Sequence, residues 1–195
     1  MKLRGLYAVT PEGADLEQKV RHALEGGVAL LQYRRKQRSL SEARSIVRMA
    51  REFGVPVIIN DDVELALEVD ADGAHLGRDD GDLDAARHRL EGKILGASCY
   101  NDLDLARAAA AAGADYVAFG SVFASSTKPQ AVRAPLSLFT RSRALGLPIA
   151  AIGGITLGSA REVIDAGADL LAVIADLFEA PDIRSRAAQY RKLFG

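Results

Sequence analysis

Eight short apolar runs punctuate this chain, and the stretches between them carry helical spacing. The runs are "LYAVT" (6–10), "ALLQY" (29–33), "PVIIN" (56–60), "GAHLG" (73–77), "ILGASC" (94–99), "DYVAFG" (115–120), "PIAAIGG" (148–154) and "DLLAVIA" (169–175). They are apolar throughout rather than at alternate positions, so both faces of each strand must be covered, as in parallel sheets. After the second run, "SLSEARSIVRMAREFG" puts Leu40, Ala43, Ile46, Val47 and Ala50 on one helix face. Ser39 with Glu42 reads as a capping box at its start, and Gly54 marks its end. The last helix is expected over "DIRSRAAQYRKLF" (182–194).

Strict alternation of eight strands with eight helices predicts an α/β fold, a closed (β/α)8 TIM barrel forming a single domain over 1–195. An open doubly wound sheet is the alternative. Three joints repeat weakly: "EGGVALL", "AAGADYVAF" and "DAGADLLAV". In each, Gly closes a helix and small residues lead into a strand.

A barrel of this kind carries its chemistry at the C-terminal strand ends. The second run ends in Gln32, Arg34 and Lys36, with Arg35 facing the other way under strand alternation and reading as a solvated helix entrance. The third ends in Asn60, Asp61 and Asp62. Arg78, Asp79 and Asp80 follow the fourth, and Ser98, Cys99 and Tyr100 end the fifth. The sixth runs into "SVFASSTKP", which holds Ser125, Ser126, Thr127 and Lys128 and is a candidate lid. Asp61 and Asp80 come from neighbouring strands and can converge; paired carboxylates without His or Cys suit Mg2+. The competing reading is that Asp61 or Asp62 caps the next helix.

Net charge is −1 over 195 residues, so no global field holds nucleic acid or an anionic membrane. Any anion must be held locally. Arg34, Lys36 and Lys128 are local cations, and "GGI" (153–155) offers backbone amides for a phosphate. The set suggests two anions held apart, with a leaving pyrophosphate drawn off by the metal and the cations. One cysteine, Cys99, excludes an internal disulfide and suits a reducing, cytoplasmic compartment. His75 reads as a packing or supporting group; His22 and His88 read as helix-surface residues.

These residues resemble the thiamine-phosphate synthase family from end to end. The resemblance rests on "QYRRK" (32–36), "IND" (59–61), "HLGRDD" (75–80), "GAS" (96–98), "SSTKP" (125–129) and "IGGI" (152–155), in the family's order. It implies a barrel that joins a pyrimidine methyl diphosphate to a thiazole phosphate, releasing pyrophosphate by a dissociative route. Gln32, Arg34, Lys36, Asn60, Ser98 and Lys128 would contact the pyrimidine diphosphate. Asp61 and Asp80 would bind Mg2+. Ser125, Thr127, Gly154, Ile174 and Ala175 would hold the thiazole phosphate, with His75 and Arg78 supporting the site.

The chain departs from the family pattern in places. Asp62 stands where Arg is common, and Arg78 brings a cation into "HLGRDD", so Arg78 is expected to pair with Asp62 or Asp79. Ser125 replaces the first of two threonines, and Ile174-Ala175 replaces a Val-Ser pair. Asp176 follows, and is expected to point away from the phosphate or cap a helix. The rival readings are a thiazole tautomerase with the same barrel and a non-catalytic phosphate-binding barrel. Retention of Lys36, Asp61, Asp80 and Lys128 favours the synthase.

Overall fold

A computed structural model describes residues 3–124 and 132–195. Eight strands close a parallel barrel in sequence order: β1 Gly5–Val9, β2 Leu30–Tyr33, β3 Val57–Asn60, β4 Gly73–Leu76, β5 Ile94–Tyr100, β6 Tyr116–Gly120, β7 Ile149–Ile152 and β8 Leu170–Val173. The helices are α1 Leu16–Gly26, α2 Leu40–Glu52, α3 Val63–Glu68, α4 Leu83–Arg89, α5 Leu103–Ala111, α6 Leu136–Ser142, α7 Ala160–Ala166, α8 Ala175–Phe178 and α9 Ile183–Lys192. The barrel is therefore the closed form, and the open-sheet alternative is set aside.

Two apolar layers hold the structure. One lies between strands and helices, where Ile46, Val47, Ile59, Val117 and Phe139 are among its buried members. The other fills the barrel, where Tyr7, Val9, Leu30, Ile58 and Tyr116 pack. Side chains alternate between these layers along each strand, which is why the runs are apolar at every position.

The repeated joints have a physical job. Gly27, Gly113 and Gly167 hold φ of 101°, 83° and 119° at the helix ends. The Asp that follows in two of these joints accepts from the first strand amide next door. Asp115 Oδ2 takes the Leu95 amide at 2.7 Å, and Asp169 Oδ2 takes that of Ile149 at 3.0 Å. Asp72, outside the three repeated joints, does the same for Val57 at 2.8 Å. Each acid ties one strand's lower end to the next.

Two expected boundaries are corrected. The Ser39 hydroxyl accepts from the Glu42 amide at 3.4 Å, but the Glu42 carboxylate does not reach back, so the capping box is half made. That carboxylate takes two bonds at 2.7 Å from Arg35 and one at 2.8 Å from Tyr33. A forked, charge-assisted pair outcompetes a single amide. The eighth strand also stops at Val173 rather than running to Ala175, because Ala175 opens the one-turn helix α8.

Candidate active site

The C-terminal strand ends gather the predicted polar groups. Where β2 leaves the barrel, Thr10 fixes the backbone. Its amide donates to the Gln32 carbonyl at 2.9 Å, its hydroxyl donates to the Arg34 carbonyl at 3.0 Å, and that hydroxyl accepts from the Arg34 amide at 2.8 Å. Arg34 and Lys36 then form no ion pair among the described residues. Arg35 turns away as alternation predicts, but it is no solvated entrance. Its side chain is 12 % exposed and gripped by Glu42. Arg34, Lys36, Asn60 and Asp61 line a cavity of about 350 Å3 at the mouth.

Asp61 sits just past β3 in the left-handed region, with φ of 61°. Its amide donates to the His75 carbonyl at 2.9 Å, so the turn is pinned to β4. Backbone strain of this kind is tolerated best by Asp and Asn, and collects at functional sites. The turn brings the Asp61 carboxyl close enough to that of Asp80 for the neighbouring acid to act on its charge. Asp80 is held in turn by the Gly77 amide, which donates to Oδ2 at 2.8 Å. The Asn60 amide donates to the Asp61 carboxylate.

Electrostatics mark this pair. Asp61 is exposed as a residue, yet its carboxyl pKa is raised to about 6. Lost hydration among the strand ends is the largest cause, and the Asp80 carboxyl is the second. Arg34 pulls the other way across the mouth. Two acids forced together, with cations nearby but not bonded to either, are a donor set that a divalent ion fits.

Asp62 is a helix cap. Its Oδ1 accepts from the Leu65 amide at 2.7 Å, and its Oδ2 lies 3.2 Å from Arg38 Nε. The expected pairing of Arg78 with Asp62 or Asp79 is therefore not made. The Arg78 guanidinium instead lies 5.0 Å from the centre of the Tyr100 ring. Arg38, two residues past "QYRRK", takes Asp62 instead.

Ser98 and Gln32 mark two ends of the mouth, on β5 and β2. Ser98 Oγ is 2.8 Å from His75 Nε2, and Gln32 Nε2 donates to the Tyr7 hydroxyl at 2.6 Å. His75 is buried inside the barrel, and burial lowers its pKa to about 4. Cys99 is also buried, which pushes its thiol up to about 12. Thr10, Tyr7 and Tyr116 were missed by sequence reasoning. The signal available for them was a hydroxyl inside otherwise apolar runs.

On the far side, Gly153 and Gly154 carry φ of 106° and 61°. A Cβ on Gly154 would stand 2.2 Å from the Ala124 carbonyl oxygen, so these glycines seat the loop leaving β6. Ile174 and Ala175 open α8 beside them. Asp176 faces away, as expected: its Oδ2 lies 2.6 Å from Arg186 Nη1 and accepts from the Tyr190 hydroxyl at 2.7 Å. It also accepts from the Leu157 amide at 3.3 Å, which anchors the segment after "GGI". The sites foreseen at Ser125, Thr127 and Lys128 lie outside the described residues.

The sequence profile of thiamine monophosphate synthase matches residues 6–177. The chain belongs to that family. A thiamine-phosphate synthase of Aromatoleum aromaticum is 60 % identical, over 99 % of this chain and 97 % of the relative. One of Azoarcus sp. is 57 % identical over 99 % and 98 %. Among solved structures, a thiamine phosphate pyrophosphorylase from Pyrococcus furiosus shares 34 % identity with a TM-score of 0.87, covering 99 % of this chain and 96 % of that one. A 3-hexulose-6-phosphate synthase at 15 % identity and TM-score 0.78 shares the barrel alone. Within the synthase family frame, the "GAS" stretch gains a structural sense. A Cβ on Gly96 would stand 2.2 Å from Tyr116 Cζ, so the residue leaves room for that ring.

Proposed function

We infer that the protein couples 4-amino-2-methyl-5-hydroxymethylpyrimidine diphosphate to a thiazole phosphate, giving thiamine phosphate and pyrophosphate. It is thus an alkyl transferase acting on two small molecules. Full-length relatives at 57 and 60 % identity carry the synthase name, which favours coupling over the tautomerase and inert-barrel readings. The observation that carries the site assignment is the approach of the Asp61 and Asp80 carboxyls at adjacent strand ends, beside Arg34 and Lys36, which form no ion pair among the described residues.

Asp61 and Asp80 would hold Mg2+, which when bound supplies positive charge against the departing pyrophosphate. Arg34 and Lys36, with Lys128 from the β6 loop, would bind the diphosphate and stabilise its growing charge as the carbon–oxygen bond opens. Gln32, Asn60 and Ser98 would orient the pyrimidine. The thiazole phosphate would rest against backbone amides at Gly154, Ile174 and Ala175, with Ser125 and Thr127 as further contacts. Asp176, tied to Arg186, keeps its negative charge out of that pocket.

A dissociative route suits these groups. The buried His75 imidazole is a weak base with both ring nitrogens already hydrogen-bonded, and burial keeps the Cys99 thiol protonated, so neither is poised to act at the mouth as base or nucleophile. The pyrimidine-stabilised cation needs neither; it needs a pocket that places the thiazole nitrogen next to it.

The test is direct. The protein is mixed with both substrates and Mg2+, and pyrophosphate and thiamine phosphate are measured together. Both should appear with metal and vanish with chelator. Absence of product from folded protein sinks the reading, and rearrangement of the thiazole phosphate alone would point to the tautomerase.

A further inference from the structure

A line of five polar side chains crosses the barrel interior from one edge of the mouth to the other. It starts at Gln32 on β2, whose Nε2 donates to the Tyr7 hydroxyl on β1 at 2.6 Å. The Tyr7 and Tyr116 hydroxyls are 2.7 Å apart. The Tyr116 hydroxyl is 2.9 Å from His75 Nδ1, and His75 Nε2 is 2.8 Å from Ser98 Oγ. Tyr7 is 1 % exposed and Tyr116 is fully buried, among Leu30, Ile58 and Leu170. Apolar residues fill such a layer at lower cost than a polar chain that must satisfy every member. Room was made for this one: Gly96 has no Cβ where the Tyr116 ring passes. His75 and Tyr116 also stack, with ring centres 5.5 Å apart.

Counting protons fixes the direction of the whole line. Each phenol has one proton to give. Gln32 Nε2 donates into Tyr7, so the Tyr7 proton goes to Tyr116. The Tyr116 proton then goes to His75 Nδ1, which leaves the imidazole proton on Nε2, donated to Ser98 Oγ. Ser98 thus accepts from below and keeps its own proton for the mouth. Gln32, with its nitrogen turned inward, keeps its carbonyl oxygen for the mouth. No single link can reverse alone, since that would put two protons or none in a neighbouring bond. Polarity at one end is therefore bound to polarity at the other.

We propose that Tyr7, Tyr116 and His75 are positioning residues that set the mouth as an acceptor at Gln32 and a donor at Ser98. Such a pair recognises a heteroaromatic ring that offers an amino donor at one point of its edge and a ring-nitrogen acceptor at another. This rests on the reading that Gln32 and Ser98 face the pyrimidine substrate. The polarity itself is a property of the substrate-free protein, so it can fail separately.

The first test needs no substrate. Nitrogen–proton correlation spectra of the imidazole should show His75 neutral, with its proton on Nε2, and Tyr116→Phe should change that pattern by removing the partner of Nδ1. A proton on Nδ1 in the wild type, or an unchanged pattern in Tyr116→Phe, overturns the proposal whatever the enzyme catalyses. The second test is kinetic. Tyr116→Phe should raise KM for the pyrimidine diphosphate about tenfold, the scale of one misdirected hydrogen bond, with KM for the thiazole phosphate within about twofold. In a Ser98→Ala background the same change should add less than it does alone, because the donor it orients at the mouth is already gone. Equal effects on both substrates, or full additivity, count against it. Tyr7→Phe cuts the line one link earlier and serves if Tyr116→Phe does not fold. Wild-type protein that releases no pyrophosphate would defeat the functional reading, and the spectra would still decide the polarity.

Discussion

The Arg186 guanidinium lies 2.6 Å from the carboxylate of Asp176, and this pair turns the acid after β8 away from the barrel mouth. The sequence places a negative charge next to the segment that would hold a phosphate; α9 neutralises it from outside. Arg186→Gln should release that charge. The expected result is a KM for the thiazole phosphate raised about 3- to 10-fold, the scale of one unscreened like charge, with the KM for the pyrimidine diphosphate unchanged. Steady-state kinetics with each substrate varied in turn check it. An effect on the pyrimidine side instead would mean the phosphate does not bind near α8.

Asp61 gives a prediction in which stability and activity move in opposite directions. Its folded pKa, about 6, lies above the ordinary value of 3.8. The folded state thus binds the proton more tightly than the unfolded one, so this group favours folding at low pH. That contribution is lost as pH rises from about 4 through about 6, and above that range the two ionised acids strain the metal-free protein. Asp61→Asn should therefore raise the melting temperature of metal-free protein at pH 8 by about 1–3 °C, a small value because the side chain keeps part of its surface in water. It should cut turnover by about 10²–10³-fold. Mg2+ affinity in the wild type should weaken below about pH 6, as protons compete for the same oxygens. A lower melting temperature, or Mg2+ affinity flat from pH 5 to pH 8, would contradict the pairing.

The opposite end of the barrel should behave in the reverse way. Asp169 accepts the Ile149 amide and donates its own amide to the Ile149 carbonyl at 2.8 Å, joining the start of β8 to that of β7. Nothing at the mouth touches it. Asp169→Ala should lose about 1–2 kcal/mol of stability, the worth of a carboxylate bond to a strand amide. Denaturant melts would read that loss, while kcat and both KM values at 25 °C stay at wild-type levels.

How legible this was depends on what each residue answers to. The strands were readable because burial on both faces forces continuous apolar runs, and the strand-end placement of Gln32, Asn60, Asp61 and Ser98 was readable because polar groups break those runs there. The fate of Arg35 was half readable. Alternation gave its direction, but its partner Glu42 lies on α2, and only folding brings the two within 2.7 Å. The pairing of Arg78 was misread for the same reason: Asp62, one of the two carboxylates offered to it, is taken by Arg38, and its guanidinium lies over Tyr100. For Tyr7 and Tyr116 the hydroxyl inside an apolar run was too weak a signal, because a tyrosine in a strand looks like any large core residue until its hydroxyl is seen to have a partner. The turn of Asp61 into φ 61° likewise has no mark in the sequence beyond an acid that tolerates it.

Gly96 offers the sharpest check on the barrel interior. A Cβ there would stand 2.2 Å from Tyr116 Cζ and 2.4 Å from its Cε1, far inside contact distance, so Gly96→Ala must push the ring out of place. The ring is fully buried with strands on all sides and has nowhere to go. The expected loss is about 3 kcal/mol or more, seen as a melting temperature lower by roughly 6–12 °C. The cause can be isolated with a second change. In a Tyr116→Val background the space around residue 96 is open, so adding Gly96→Ala should then lose less than about 1 kcal/mol. The double variant would be more stable than additivity allows. If the two losses simply add, the penalty at position 96 comes from its backbone rather than from the ring, and the glycine of "GAS" has a different purpose.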